Sequence, residues 1–241
     1  MHAALNHTVR PAVLVRPAIH EDPLAYLPFS AIREYRKCQA IYTYGEPSTG
    51  IYLVVEGKVK ILRQAGRARV AVDVYRSDEF FGESALAGFA HRKEEAVAIE
   101  PTKLMSWSRQ EIEDNAVSRP KLAIALLQLM VSRSLEFADR IESLSLESIE
   151  RRLARTLVRF AGRFGDELDD GTVTMDAFTH DLLSQCVGTS REIVTRFMRR
   201  FQQEGYLHYS RRVIALRQRA LIEWQTAPSA AALKRSAAVA N

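Results

Sequence analysis

The rhythm of apolar and polar positions changes twice along the chain. From about residue 21 to 117 the apolar runs are short. Gln39–Tyr44 ends at Gly45, Ile51–Val55 ends at Glu56-Gly57, and Val59–Leu62, Val70–Tyr75, Ala96–Ile99 and Leu104–Trp107 follow. Glycines at 45, 50, 57, 66, 82 and 88 punctuate them. Short strands broken by turn residues predict a compact antiparallel barrel or roll over residues 21–118. Residues 1–20, interrupted by Pro11 and Pro17, read as a loosely held tail.

After Pro120 the pattern turns helical, and 121–144 contains no Gly or Pro. Ala123, Leu127, Met130, Ser134, Phe137, Ile141 and Leu144 alternate at spacings of four and three, the pattern of a coiled-coil seam. Leu122, Leu126 and Leu129 form a second stripe suited to packing on the roll. Two apolar stripes need two partners, which predicts a dimerisation helix and hinge over 119–147, the hinge itself near 142–148. The expected interface is Leu127, Met130, Ser134, Phe137, Ile141 and Leu144. Ile149, Leu153, Leu157 and Phe160 restart the pattern, which ends at Gly162 to Gly165 and opens a domain over 148–225. The Ala-rich stretch 226–241 reads as a second tail.

Within that last domain, Thr179–Arg196 has the form of a helix, a turn and a second helix. Thr179 can cap the first helix, with Asp181 in its first turn. Leu182, Leu183 and Cys186 recur at helical spacing and face a core. Gly188 sits where the chain must turn sharply. Thr189 then starts a Thr-x-x-Glu capping box with Glu192. Val194, Phe197 and Phe201 form the apolar stripe of the second helix, leaving Arg191, Glu192 and Arg196 off it. Arg can donate a fork to guanine O6 and N7, and Glu can accept from cytosine N4, so this face has the chemistry to read a major groove. Glu192 and Arg196 are also an i,i+4 pair in the order that supports a solvated helix.

Gly205–Leu216 follows, two short apolar strands flanking Ser210-Arg211-Arg212, a hairpin tipped by two arginines. Such a wing suits a phosphate backbone. Residues 191–219 hold eight arginines against two acids, Glu192 and Glu204, an excess of six charges where the whole chain carries +5. The basic surplus is therefore local, as a phosphate footprint requires. The expected DNA-contacting residues are Thr189, Ser190, Arg191, Glu192, Arg196, Arg211 and Arg212.

At 241 residues the chain can build two modest domains with their own cores. No apolar run approaches a membrane span, and Arg10, Pro11, Arg16 and Pro17 interrupt any leader core, which predicts a cytoplasmic protein without membrane partners. Two cysteines, Cys38 and Cys186, make neither a disulfide framework nor a metal cluster, so no metal site is expected. A Gly-rich phosphate loop, metal-spaced ligands and a nucleophile elbow are all missing from the sequence, and no enzyme is expected.

The order of roll, long helix and winged helix-turn-helix resembles the family of the cyclic AMP receptor protein and FNR, over roughly residues 24–222. Ile51-Tyr-Leu-Val-Val-Glu-Gly-Lys-Val59, Phe80-Phe-Gly-Glu83 and Thr189-Ser-Arg-Glu-Ile-Val-Thr-Arg196 carry the resemblance. It implies an α+β chain with an antiparallel β-roll of jelly-roll type, similar to a cyclic-nucleotide-binding domain. It also implies a homodimeric bacterial transcription regulator of inverted repeats, with double-stranded DNA, a second copy of the chain and RNA polymerase as partners. Arg191 and Arg196 would donate to guanine in a TGTGA-like half-site, and Glu192 would accept from the opposite cytosine.

The effector is less determined. The resemblance places a nucleotide pocket at Gly82, Glu83 and Arg92, with Phe137 and Ala138 meeting it from the long helix. Arg92 is followed by Lys93-Glu94-Glu95 where the family has a small hydroxyl residue. Two carboxylates beside a phosphate repel it, and neither Phe137 nor Ala138 offers a hydroxyl, which argues against cyclic AMP. Haem would rest on His91 alone, with no second ligand. An iron–sulfur cluster needs several N-terminal cysteines where only Cys38 stands. The effector is left unassigned. The alternative of the same architecture is a cyclic-nucleotide or haem sensor whose DNA binding depends on its ligand.

Overall fold

The computed structural model describes residues 21–66 and 68–226. The tails expected at 1–20 and beyond Thr226 lie outside the described residues. Two compact units divide between Ser143 and Leu144, about one helical turn before the expected boundary at 148.

In the first unit each predicted strand forms, and two further ones join them. The strands are β1 (Arg33–Tyr35), β2 (Ala40–Tyr42), β3 (Gly50–Glu56), β4 (Lys58–Ala65), β5 (Ala68–Arg76), β6 (Phe80–Phe81), β7 (Glu95–Ala98) and β8 (Thr102–Ser108). They make two four-stranded sheets, ordered β1-β8-β3-β6 and β2-β7-β4-β5, with antiparallel pairing throughout. One core cluster contains Ile51, Leu53, Phe80 and Trp107; the other contains Tyr42, Val54, Val59, Tyr75 and Phe81. This is the expected β-roll. Strands β1 and β6 went unpredicted because three and two residues are too few to show a period.

A short helix, α1 (Arg109–Ser118), was also not expected. Its one buried residue is Ile112, so it lacks a stripe. Its signal was local: Ser108 accepts from the Glu111 amide while the Glu111 carboxylate accepts from the Ser108 amide, a complete capping box.

The long helix α2 spans Lys121–Leu146. Leu122 and Leu126 are buried and Leu129 half-buried, all packed on the roll core as predicted. Burying each leucine is worth about 1.5–3 kcal/mol, which fixes this face of the helix. The other stripe stands open, with Leu127 and Ile141 each 64% exposed, and Ile124, Val131 and Leu135 extend it.

The second unit runs on through α3 (Ile149–Phe164), β9 (Gly165–Glu167), β10 (Val173–Asp176), α4 (His180–Val187), α5 (Arg191–Gln203), β11 (Leu207–Tyr209), β12 (Val213–Leu216) and α6 (Gln218–Thr226). Helix α3 is capped by Ser148, whose hydroxyl accepts from the Arg151 amide. It packs on α4, α5 and α6 through Leu153, Leu157 and Phe160, each wholly buried. The predicted two-stranded wing is part of a larger sheet, ordered β11-β12-β10-β9. Among the described residues, no helix is long and apolar enough to cross a membrane.

Candidate nucleic-acid interface and effector pocket

The helix-turn-helix is assembled by caps. The Thr179 hydroxyl accepts from the Leu182 amide and starts α4, whose inner face buries Leu182, Leu183, Cys186 and Val187. Gly188 closes the helix at φ 73°, a left-handed conformation that a side chain would strain. The amides of Gly188 and Thr189 both donate to the Ser184 carbonyl, so two residues are used in the turn. The cap of the next helix therefore falls one residue later than predicted. Ser190, not Thr189, caps α5, accepting from the Ile193 amide, and the Thr189–Glu192 box does not form.

The buried stripe of α5 is likewise Val194, Met198 and Phe201, with Phe197 only half-buried. The expected outer face survives both corrections. Arg191, Glu192 and Arg196 are exposed, and with Thr195, Arg199, Arg200 and Gln203 they border one shallow concavity. The Glu192 carboxylate is held below the usual range by its own backbone amide first and by the Ser190 hydroxyl second. It is therefore an ionised acceptor at neutral pH. The Arg196 guanidinium lies over the Phe197 ring, 5.0 Å from its centroid.

The wing forms as predicted. Its Leu207↔Leu216 and Tyr209↔Ile214 pairs bring Ser210-Arg211-Arg212 to the tip. The Ser210 hydroxyl accepts from the amides of Arg212 and Val213, fixing a tight turn with both arginines exposed. All eight arginines of 191–219 are exposed, but they are not equivalent. Arg200 is paired with Glu204 at 2.8 Å and with Glu150 at 2.8 Å and is spent within the unit. Arg199 has no such partner among the described residues and adds to the outer face, a contribution the sequence reading missed. His180 was missed too. Its Nδ1 lies 2.8 Å from the Thr195 Oγ1, and its ring lies on Tyr209, 4.9 Å between centroids, joining α4, α5 and the wing.

The roll holds the second group of predicted residues. Gly82 has φ 81°, and a Cβ there would lie 3.1 Å from the Tyr52 ring and 3.2 Å from the Arg92 Nη1. Glycine is thus required for Arg92 to pass. Arg92 is 1% exposed and donates to the carbonyls of Gly82 at 2.7 Å and Gly50 at 2.5 Å. Its guanidinium also lies 4.1 Å over the Tyr42 ring. Burial pushes the Tyr42 phenol far up, with Arg92 opposing and Glu94 and Glu83 adding to the rise. Glu94 accepts from the Ser84 hydroxyl at 2.7 Å, and Ser84 in turn meets Arg92 Nη1 at 3.2 Å.

Glu83 is not unpartnered. Its Oε1 lies 2.6 Å from the Nη1 of Arg133 on α2, a charge contact outside hydrogen-bond angles. The two helix residues expected in the pocket, Phe137 at 37% and Ala138, are instead exposed. Those that reach the roll from α2 are Arg133 and Arg140. His91, considered above as a haem ligand, is exposed and bridges Pro47 through its backbone.

Two family models match the chain: a cyclic nucleotide-binding domain over residues 32–116 and a Crp-like helix-turn-helix domain over 151–224. The global nitrogen regulator of Synechococcus elongatus is 31% identical over 172 residues, covering 69% of this chain and 77% of that protein. The chain belongs to the Crp/Fnr family of transcription regulators. The CRP-like cAMP-activated global transcriptional regulator of Mycobacterium tuberculosis is a further Crp/Fnr relative, 26% identical over 72% of this chain and 78% of its own length. The structure of FixK2 from Bradyrhizobium japonicum shares the fold, with a TM-score of 0.73 at 22% identity, over 84% of this chain and all of that one.

As a Crp/Fnr regulator the chain carries a DNA-binding helix-turn-helix domain in its second unit. Within the region matched by the cyclic nucleotide-binding model, the polar groups are largely engaged with one another. A cyclic phosphate needs donors facing it; here Arg92 gives two donors to backbone carbonyls, and Glu83 and Glu94 present carboxylates instead.

Proposed function

We propose that the chain is a homodimeric, sequence-specific regulator of an inverted repeat with TGTGA-like half-sites, and that its effector is not cyclic AMP. One observation carries the DNA reading. Arg191, Glu192 and Arg196 stand together on the outer face of α5, two cations flanking a carboxylate that stays ionised. Arg191 and Arg196 donate to guanine and Glu192 accepts from cytosine on the opposite strand. Thr189 and Ser190, at the start of α5, approach the phosphates with the helix N-terminus, and Arg211, Arg212 and Arg199 contact the backbone.

Two copies pair along the stripe of Leu127, Met130, Ser134, Phe137, Ile141 and Leu144. The exposure of several large apolar side chains on one helix supports this, since a lone chain gains nothing by holding them in water. Within the second unit Leu144 also reaches the turn at Gly188, where its Cδ2 would lie 3.8 Å from an added Cβ. The seam and the DNA-reading turn therefore share a residue.

Fluorescence anisotropy on a TGTGA/TCACA inverted repeat, half-site centres about one helical turn apart, tests the reading against a scrambled duplex. Selective binding with a steep salt dependence is expected. For Arg211→Ala with Arg212→Ala, the salt slope should fall by about two, one per lost phosphate contact. Equal affinity for both duplexes would overturn the half-site assignment, and an unchanged slope would remove the wing from the interface.

A further inference from the structure

We propose that Arg133 and Arg140 act as a built-in effector: they clasp α2 to the roll, so that DNA binding needs no small molecule. This rests on the DNA-binding reading above and adds how that activity is regulated. The leucine stripe seats the start of α2 on the roll, and the two arginines tie the helix to the sheets further along its length.

Arg133 and Arg140 lie seven residues apart, two helical turns on one face of α2. Arg133 is buried. Its Nη2 donates to the Phe80 carbonyl, its Nη1 meets Glu83, and its guanidinium carbon lies 4.8 Å over the Tyr75 ring. Burial opposes its charge, and the facing Tyr75, Glu83 and Asp73 outweigh that cost. Two turns on, Arg140 donates through Nη2 to the Ala71 carbonyl at 3.1 Å and through Nη1 to the Val72 carbonyl. Each guanidinium thus bridges helix and sheet, a planar fork against carbonyl oxygens.

The carbonyl acceptors lie on β5 and β6, and Glu83, which the resemblance assigns to a nucleotide pocket, starts the 3-10 helix that follows β6. Glu83, retained from the Gly-Glu pair of that pocket, takes a side chain of α2 in place of a ligand. Arg92 beside it is held by the carbonyls of Gly82 and Gly50. A phosphate would have to strip Arg92 from Gly50 and Gly82 and then face Glu83 and Glu94, so the pocket resists the ligand as well as replacing it.

The test compares the full-length wild type with Arg133→Met/Arg140→Met, which keeps chain length and apolar bulk but removes both forks. DNA affinity is measured by anisotropy with no ligand, with cyclic AMP and with cyclic GMP. Hydrogen exchange of α2 is followed in parallel, after circular dichroism and size-exclusion have established the fold and assembly of the variant. The wild type should bind selectively without ligand and change by less than twofold with either nucleotide. The variant should lose at least tenfold in affinity, and its α2 amides beyond residue 133 should exchange at least tenfold faster. Unchanged exchange and unchanged affinity in the variant would overturn the clasp. So would a wild type that binds selectively only after a cyclic nucleotide is added. A wild type that binds no duplex under any condition would sink the DNA reading, and exchange would then decide the clasp alone. As a second variant, Glu83→Arg with Arg133→Glu should recover protection lost in Arg133→Glu alone; no recovery would overturn the ion pair as part of the clasp.

Discussion

The arginines of the roll and those of the DNA-binding unit are the same residue used in opposite ways. Arg92, Arg133 and Arg140 each give donors to carbonyls of their own chain, at Gly50, Gly82, Phe80, Ala71 and Val72, with the buried Arg92 Nε and Arg133 Nη1 left without a hydrogen bond. Arg191, Arg199, Arg211 and Arg212 are exposed, and their guanidinium groups make no hydrogen bond among the described residues. A guanidinium carries five donors and cannot shed its charge, so the fold must either satisfy it internally or leave it in water. Satisfied, it holds structure together; left in water, it is available to an anionic partner. The location of bonded and exposed guanidinium groups separates the first unit from the helix-turn-helix unit more sharply than charge, since both regions contain arginines.

The largest effect should come from the satisfied class. Arg92→Met removes a charged double donor from beneath Tyr42 and leaves the Gly50 carbonyl without it. We expect a loss of about 2–4 kcal/mol in the stability of the roll. Each unit has one tryptophan, Trp107 in the roll and Trp224 against Phe201 and Tyr206. Denaturation followed at Trp107 in a Trp224→Phe background should show the loss. The comparison breaks if Arg92→Met melts like the wild type.

The unsatisfied class should behave in reverse. Arg191→Ala should change stability by no more than about 0.5 kcal/mol. It should cost about 1–3 kcal/mol of binding on the preferred site and relax the choice at one base pair, read by anisotropy over single-base variants of the duplex. An equal loss on every duplex would turn Arg191 into a phosphate contact and move base reading to Glu192 and Arg196.

This contrast also marks where the sequence was legible. The reading head is built from local rules: a Thr179 cap, a left-handed glycine at 188, an apolar stripe and a hairpin with a polar tip. Its errors were of one residue, Ser190 for Thr189 and Met198 for Phe197, because a two-residue turn and a helical phase leave that much slack. Strands β9 and β10 were missed since Gly165-Asp-Glu167 and the Asp169-Asp170-Gly171 turn carry loop composition. The clasp was illegible for a different reason. Arg133 and Arg140 continue the phase of Leu122, Leu126 and Leu129, but they are charged, and they reach backbone carbonyls 53 and 68 residues away. Carbonyl acceptors are present at every residue, so no side-chain pattern marks those that a guanidinium will choose. Phe137 and Ala138 were expected in the pocket from the resemblance, whereas the packing phase set by Leu122, Leu126 and Leu129 turns Arg133 and Arg140 inward.

The smallest effect tests the border between the two classes at His180. Its imidazole is half-buried between Thr195 and Tyr209, and it faces Arg191 and Arg199 of α5, with Asp181 next to it on its own helix. Burial first, then those two arginines, hold its pKa below the ordinary histidine value of 6.5. The folded pKa is below the unfolded one, so the fold favours the neutral ring. The stability this contributes is complete above the unfolded value and is lost as pH falls through the depressed folded value. His180→Gln should therefore flatten the pH dependence of unfolding read at Trp224 between about pH 8 and pH 5. DNA should reverse the sign. The anionic duplex faces Arg191 with guanine acceptors and Arg199 with phosphates, which weakens the opposition of both arginines to a protonated ring while burial still opposes it, so binding should take up a proton as the pH falls. In the wild type, duplex affinity should rise on acidification more steeply than in His180→Gln, even as the free protein becomes less stable. Parallel pH profiles in the two proteins would mean that His180 is packed for structure alone, and that the unsatisfied arginines do not reach it.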